Sequence, residues 1–109
     1  MKRGEVWWAT LPEPWGRRPV LLLARDEAYE ILTWLIVAPL TTTIRTISTA
    51  VLLEPSRDHV PARSVVALDN VQSVRSAWVQ SRITELSSER MSEVDRAVHL
   101  AMGLRHETR

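Results

Sequence analysis

The chain has 109 residues, 45% of them hydrophobic and 25% charged, with a formal net charge of +1. That length supports one domain with one core and is too short for two. There is no cysteine, which excludes disulfides, zinc–thiolate sites and thiol nucleophiles. The near-neutral charge argues against strong sequence-independent binding of nucleic acid. Lys2 is the single lysine among 14 basic residues. Arginine offers a planar fork that suits phosphate, but codon usage in a GC-rich genome gives the same bias, so only the placement of individual arginines carries an argument. The start, Met1-Lys2-Arg3-Gly4-Glu5, has no apolar run behind its charges and does not read as a signal peptide. The apolar stretches Pro19 to Ala24 and Trp34 to Leu40 are far too short to span a bilayer, and the cytoplasm is the expected compartment.

Glu5 to Leu11 is rich in strand formers, and Pro12, Pro14 and Gly16 mark a loop after it. Arg18 to Arg25 reads as a buried strand through Val20, Leu21, Leu22, Leu23 and Ala24. Asp26 is placed to cap a short helical turn through Glu30. Trp34 to Leu40 reads as a second buried strand, ended by Thr41-Thr42-Thr43, with a loop from Ile44 to Ser48. Thr49 to Glu54 is a further strand, closed by Pro55-Ser56-Arg57-Asp58. Ser64 to Leu68 and Val71 to Val74 read as two short strands parted by Asp69-Asn70.

The last part is helical. Ser87 or Ser88 is the N-cap, with Glu89 in the first turn. Met91, Val94, Val98, Ala101 and Met102 fall on one face, and Gly103 is the stop. Residues 1–104 are read as the domain and Arg105 to Arg109 as a frayed tail. Five or so short strands followed by one helix predict a mainly β, α+β fold: a strongly bent sheet or open barrel with a helix against it.

The usual catalytic signatures are missing. There is no Gly-rich phosphate loop and no Gly-x-Ser-x-Gly, and His59, His99 and His106 lack metal-ligand spacing. Two places stand out. In Trp15-Gly16-Arg17-Arg18-Pro19, an indole and two guanidiniums leave a Pro/Gly loop and enter a buried strand. A base can stack on Trp15 while Arg17 or Arg18 grips a phosphate; alternatively Trp15 plugs the barrel end and both arginines stay solvated. The hydroxyls of Thr41-Thr42-Thr43 either face a substrate or satisfy the turn's own backbone, and on residue type alone the second reading leads. With no Phe in the chain, tryptophan takes over core filling. Trp7 and Trp8 point to opposite faces of their strand, one to core and one to a rim. Trp34 and Trp78 are expected as core or dimer contacts.

These residues resemble a known family. Lys2-Arg3-Gly4-Glu5-Val6-Trp7 is similar to the opening of MazF/PemK toxins, and Gly16-x-Arg18-Pro19-Val20-Leu21 resembles their Gly-x-Arg-Pro-Val-Leu strand. Val37-Ala38-Pro39-Leu40-Thr41 is similar to their strand ending in Thr. Ser64 to Val71 resembles the segment leading into their Asp/Glu-Gln-Ile/Val-Arg motif. Arg82-Ile83-x-x-Leu86-Ser87, then Met91-x-x-Val94-Asp95-x-Ala97, resembles their closing helix, with Met102-Gly103-Leu104 at the place of Leu-Gly-Leu. No one motif is specific; five in register from residue 2 to about 104 are.

The resemblance implies an SH3-like open barrel of the CcdB/MazF type with a C-terminal helix. It implies a homodimer that cleaves single-stranded RNA at specific sequences, without metal or cofactor, and is held by a MazE-like antitoxin. It places catalysis on Arg18 and Thr41. Beside it, the reading of the residues gives Trp15, Arg17, Thr42 and Gln72 as RNA-binding candidates and Glu13, the nearest carboxylate in sequence, as a candidate general base. Two departures stand beside it. The first loop is short, Pro12-Glu13-Pro14-Trp15, and Gln72 replaces the motif's arginine, leaving Arg75 or Arg17 to compensate. Two other classes remain open: a non-catalytic toxin of the same fold acting on DNA gyrase through its C-terminal residues, and an RNA-binding barrel that has lost catalysis.

Overall fold

The computed structural model describes residues 1–104. Seven strands run in chain order: β1 Glu5–Leu11, β2 Gly16–Leu22, β3 Trp34–Thr41, β4 Ala50–Leu53, β5 Ser64–Ala67, β6 Gln72–Arg75 and β7 Val79–Glu85. Single helical turns, α1 Ala28–Ile31 and α2 Pro55–Asp58, break the meander, and α3 Ser88–Ala101 follows it. All strand pairs are antiparallel. The order is β4-β5-β3-β2-β1-β7, with β6 also paired to β3, so the sheet bends without closing. The expected architecture of an open barrel with a C-terminal helix is present.

The strand β3 organises the sheet. One edge pairs with β2 over Val37–Pro39. The other pairs with β6 over Trp34–Val37, then with β5 at Leu40 and Thr41. Apolar residues of β2 and β3 alternate between two buried layers. Leu21, Ala38 and Leu40 join Val6, Leu53, Val66, Val94 and Ala97 beneath α3. Val20, Leu22 and Val37 join Ala9, Leu11 and Val74 on the opposite face, where Trp7, Trp15 and Trp78 complete the cover. A strand stretch buried on both faces must be apolar at every position, which is why Val20–Leu22 and Val37–Leu40 read as unbroken apolar runs. The single core expected from length is therefore split into two layers by the sheet.

Several local expectations are corrected. Asp26 does not cap α1; its Oδ1 instead accepts the Arg3 backbone N–H at 2.8 Å, and the capping position falls to Glu27. Arg82 and Ile83 lie in β7, a strand absent from the sequence reading, rather than in the closing helix. On α3, Met102 is 55% exposed while Ala97 is buried, so the buried stripe lies slightly off the predicted one.

The ends of α3 behave as read. Ser87 Oγ accepts the Arg90 N–H at 3.1 Å, satisfying one of the helix's free donors. At the other end Gly103 takes φ +67°, and its N–H donates to Leu100 O while that of Leu104 donates to His99 O. That crossed pair closes the helix and needs a left-handed residue.

A buried ion pair fixes α3 to the turn α2. Arg90 donates from Nε to Asp58 Oδ1 and from Nη2 to Asp58 Oδ2, each at 3.0 Å, with side chains 8% and 4% exposed. Burial pushes the Asp58 carboxyl upward, but the Arg90 fork and the Glu54 N–H outweigh it and hold its pKa below the ordinary value. The expected tail Arg105 to Arg109, with His106, lies outside the described residues.

Candidate active site

The site begins with a missing donor. The Leu23 N–H donates to Ile36 O at 3.0 Å, and Leu21 stands opposite Ala38. In an antiparallel ladder the rungs alternate, so the next rung toward β3 belongs to residue 19, opposite Leu40. Residue 19 is a proline and has no N–H to give. Arg18 supplies the substitute: its Nη1 donates to Leu40 O at 3.3 Å. Its Nε donates to Trp15 O at 2.8 Å, and the guanidinium carbon lies 5.0 Å from the Trp15 ring centroid. Two carbonyls and an aromatic face fix the charge, leaving the remaining N–H donors for an anion. The turn that presents Trp15 requires Gly16, at φ +66°.

Two residues beyond the last β2–β3 pair, Val20↔Pro39, the register carries Arg18 opposite Thr41. Thr41 is half-buried, and its Oγ1 accepts the Thr43 N–H at 3.2 Å. The hydroxyl thus serves the turn, as its residue type suggested, and still has its own proton to donate. Beside this pair opens a cleft of about 430 Å³, bordered by Trp15, Thr41, Thr43, Arg45, Thr49 and Asp69 among others. That volume falls in the range of ligand sites.

The other candidates are dispersed. Adjacent strand residues point to opposite faces, and Arg17 leaves on the side away from Arg18. Its guanidinium lies 4.5 Å from the Trp8 centroid, its Nε donates to Gln80 Oε1 at 3.0 Å, and Gln80 donates to Thr10 Oγ1 at 2.8 Å. Trp15, Arg17 and Arg18 therefore do not form one platform: Trp15 goes with Arg18, and Trp8 with Arg17. Thr42 borders a smaller pocket of about 130 Å³ with Trp8 and Pro19. Gln72 pairs with Val37 and donates to Asn70 O at 3.5 Å. Val37 is four residues from Thr41, roughly 13 Å along the strand, and the Gln72 side chain turns back toward Asn70, which borders the cleft.

Glu13 is exposed on the first turn and does not border the cleft. Arg75 lies 5.5 Å from the centroid of Trp34, so it does not fill the place of the missing motif arginine. His59 caps α2 in a left-handed conformation, a structural role. The two charged residues of the cleft, Arg45 and Asp69, have no site role in the sequence analysis. Arg45 stands in a Thr/Ile loop with no periodicity to mark it, and Asp69 reads as a separator of two strands and as part of the stretch that resembles the family's Asp/Glu-Gln-Ile/Val-Arg motif, with no role of its own. Among the described residues, no three His, Cys, Asp or Glu side chains converge as a metal site, and no helix is long and apolar enough to cross a membrane.

Trp34 is 48% exposed and is not core; it meets Trp78 edge to face with centroids 5.7 Å apart. Together with Ile31, Leu32 and Ile36, at 70%, 41% and 45% exposure, it leaves an apolar surface at the start of β3.

Comparison with known proteins bears on the family and the fold. The family described as PemK-like, MazF-like toxin of type II toxin-antitoxin system matches residues 2–102. A relative named "Probable endoribonuclease MazF5" from Mycobacterium tuberculosis is 46% identical over 100 residues, covering 92% of this chain and 91% of the relative. "Probable endoribonuclease MazF2" of the same species is 34% identical over 103 residues, covering 94% and 99%. Among solved structures, Mycobacterium tuberculosis toxin MazF-mt6 superposes with a TM-score of 0.85 at 29% identity, covering 94% of this chain and 99% of that one. An endoribonuclease in complex with its cognate antitoxin, from a mycobacterial species, gives 0.84 at 26% identity, covering 97% and 98%. The chain belongs to the PemK-like, MazF-like toxin family of type II toxin–antitoxin systems, as the motifs suggested.

Proposed function

We propose that this chain is a toxin endoribonuclease that cuts single-stranded RNA at specific sequences, with Arg18 and Thr41 at the reacting phosphate. The observation that carries this reading is the Arg18–Thr41 pair, set opposite each other where the β2–β3 ladder stops and beside a cleft edged by Trp15. RNA brings its own nucleophile, the 2′-hydroxyl. Its oxygen bonds to phosphorus, the bond from phosphorus to the 5′-oxygen breaks, and the products are a 2′,3′-cyclic phosphate and a 5′-hydroxyl. The 2′ proton leaves to a base and the 5′-oxygen gains one. Negative charge grows on the phosphoryl oxygens, and a prefixed guanidinium in a sheltered cleft is the strongest single aid to that step. Thr41 donates a hydrogen bond to the same phosphate. Trp15 and Arg45 hold the flanking nucleotides by stacking and charge.

None of these steps requires a metal. Excess EDTA leaves cleavage intact, and a single 2′-deoxy substitution at the scissile nucleotide blocks it, because the 2′-hydroxyl is the nucleophile. Activity lost in EDTA and restored by magnesium refutes this route.

The active form is a cytoplasmic homodimer in which a second copy covers Trp34 and Ile36. Exposed tryptophan and isoleucine are costly in water and frequent at interfaces. The antagonist is an antitoxin with a flexible acidic segment that sets an apolar side chain on Trp15 and pairs carboxylates with Arg18 and Arg45. Inhibition is then competitive with RNA. Residues 105–109, on which the gyrase alternative turns, lie outside the described residues.

A further inference from the structure

We propose that Asp69 selects the RNA sequence by recognising a guanine near the scissile bond; this deepens the ribonuclease reading above and rests on it. A cleft for a polyanion should be lined by cations and neutral groups; Arg45 in its lining, and Arg18 stacked on the Trp15 that edges it, fit that demand. Asp69 does not. It borders the same cleft as Thr41 and Trp15, and among the described residues it takes part in no ion pair. An unneutralised carboxylate there repels every phosphate that enters. It belongs in such a site only if it meets hydrogen-bond donors on the ligand, and the donors RNA carries besides its hydroxyls are on its bases.

The carboxylate is held in place. Thr49 Oγ1 donates to Asp69 Oδ2 at 2.6 Å, and the Leu68 N–H donates to Thr49 O at 3.0 Å. The loop before β4 and the 3₁₀ turn after β5 are thereby tied together, and one acceptor edge of Asp69 is orientated. Each carboxylate oxygen has two lone pairs, so the bond from Thr49 leaves acceptor capacity on both.

Distance separates this role from proton abstraction. Thr41 is opposite Val65 in β5. From Val65 to Asp69 the chain runs two strand residues and then enters the 3₁₀ turn Leu68–Asn70. That is roughly 10 Å along the strand at ~3.3 Å per strand residue and ~2 Å per 3₁₀ residue. A group taking the 2′ proton must come within about 3 Å of it. Both side chains border one cleft, and this backbone spacing favours a neighbouring base over the reacting phosphate as the group Asp69 meets.

The acceptor pattern names the base. A carboxylate offers acceptors only. Guanine presents two adjacent donors, N1–H and the N2 amino group, which a carboxylate can take together. Adenine and cytosine put an acceptor nitrogen beside their single amino group, and uracil flanks its one N–H with two carbonyls. Asp69 is exposed in the free chain, but each of those bases sets lone pairs against it, and an acceptor left unpaired once a base covers it discriminates strongly.

The test is cleavage of a randomised RNA pool by the parent and by Asp69→Asn, with the cut ends sequenced. The parent enriches guanine at one fixed position next to the cut. In Asp69→Asn that preference falls by about 5- to 150-fold, the value of one bidentate base contact. Thr49→Val, which frees the carboxylate to rotate, weakens the preference by less. Replacing the selected guanosine with inosine, which lacks the N2 amino group, slows the parent but not Asp69→Asn. Three results overturn the proposal: no guanine at any fixed position in the parent's sites, full guanine preference in Asp69→Asn, or unchanged site choice with loss of one limb of the pH–rate profile. A parent that cuts no RNA brings down the nuclease reading, and does so before Asp69 is altered.

Discussion

Replacing Arg18 tests the site at its centre. In the folded chain this guanidinium makes hydrogen bonds to Trp15 O and Leu40 O and stacks on the Trp15 ring. Arg18→Ala removes these. A charged donor on a carbonyl contributes about 1.5–3 kcal/mol when dry. Here the side chain is only half-buried and water can replace it on both oxygens, so the fold loses about 1–2 kcal/mol, well within a domain's ordinary stability of about 5–15 kcal/mol. The transition state loses more. Deleting one prefixed donor to a developing anion costs about 10²- to 10³-fold in rate. Arg18→Lys keeps the charge but not the fork. One ammonium on a flexible stem cannot hold two carbonyls and a phosphate together, and a loss of about tenfold or more is expected for it on the same scale. The assay is kcat/KM on a short fluorogenic RNA, with thermal melting of each variant alongside. If Arg18→Ala cuts within about threefold of the parent, against the ~10²-fold expected, the chemistry lies elsewhere, and Arg45 is the next arginine to examine.

Asp58→Ala strips Arg90 of its buried partner and leaves it only the partly exposed Glu93; it destabilises the chain by about 2–3 kcal/mol, below the full cost of an unpaired buried charge, read as a fall in Tm with little change in cleavage below it. Because the Asp58 carboxyl has its pKa lowered in the folded state, its contribution is complete above the ordinary carboxylate range and fades as pH falls below about 4. Asp58→Asn should flatten that part of the acid-stability curve in urea titrations; an unchanged slope contradicts the assignment. Trp34→Glu and Ile36→Glu place a charge on the exposed start of β3 and should shift the sedimenting species from dimer to monomer at micromolar concentration. Trp15→Ala should weaken antitoxin binding and RNA binding together, measured by titration of each partner. Arg17→Ala, on the other face, should leave RNA cleavage nearly unchanged.

What could be read from the sequence follows from where information is local. Val20 to Leu22 and Val37 to Leu40 are apolar at every position because both faces of their strands are covered, and that pattern needs no tertiary knowledge. Ser87 and Gly103 likewise announce the ends of α3. The strand β7 had no such signal. Gln80, Ser81, Arg82 and Glu85 are exposed, and an edge strand with only Val79 and Ile83 as apolar points does not alternate clearly. Arg17 and Arg18 read as one group because they are neighbours in sequence. In a strand neighbours part to opposite faces, and the structure gives each its own tryptophan. Residue chemistry marks out the stretches that hold Arg18 and Thr41, and motif resemblance picks these two as the pair. Asp69 and Arg45 enter the cleft through the meeting of three turns, which no short stretch of sequence records.

The absent N–H of Pro19 also sets a competition. Leu40 O can accept from a backbone rung or from the Arg18 guanidinium, and the proline decides for the side chain. Replacing Pro19 with a β-branched residue would restore the rung and lengthen the β2–β3 zipper. The chain would then resist heat better while its arginine swung loose from one of its two anchors. Selection for thermal robustness alone would drive this position away from proline, so a thermostable variant obtained without an activity screen should be inspected here first.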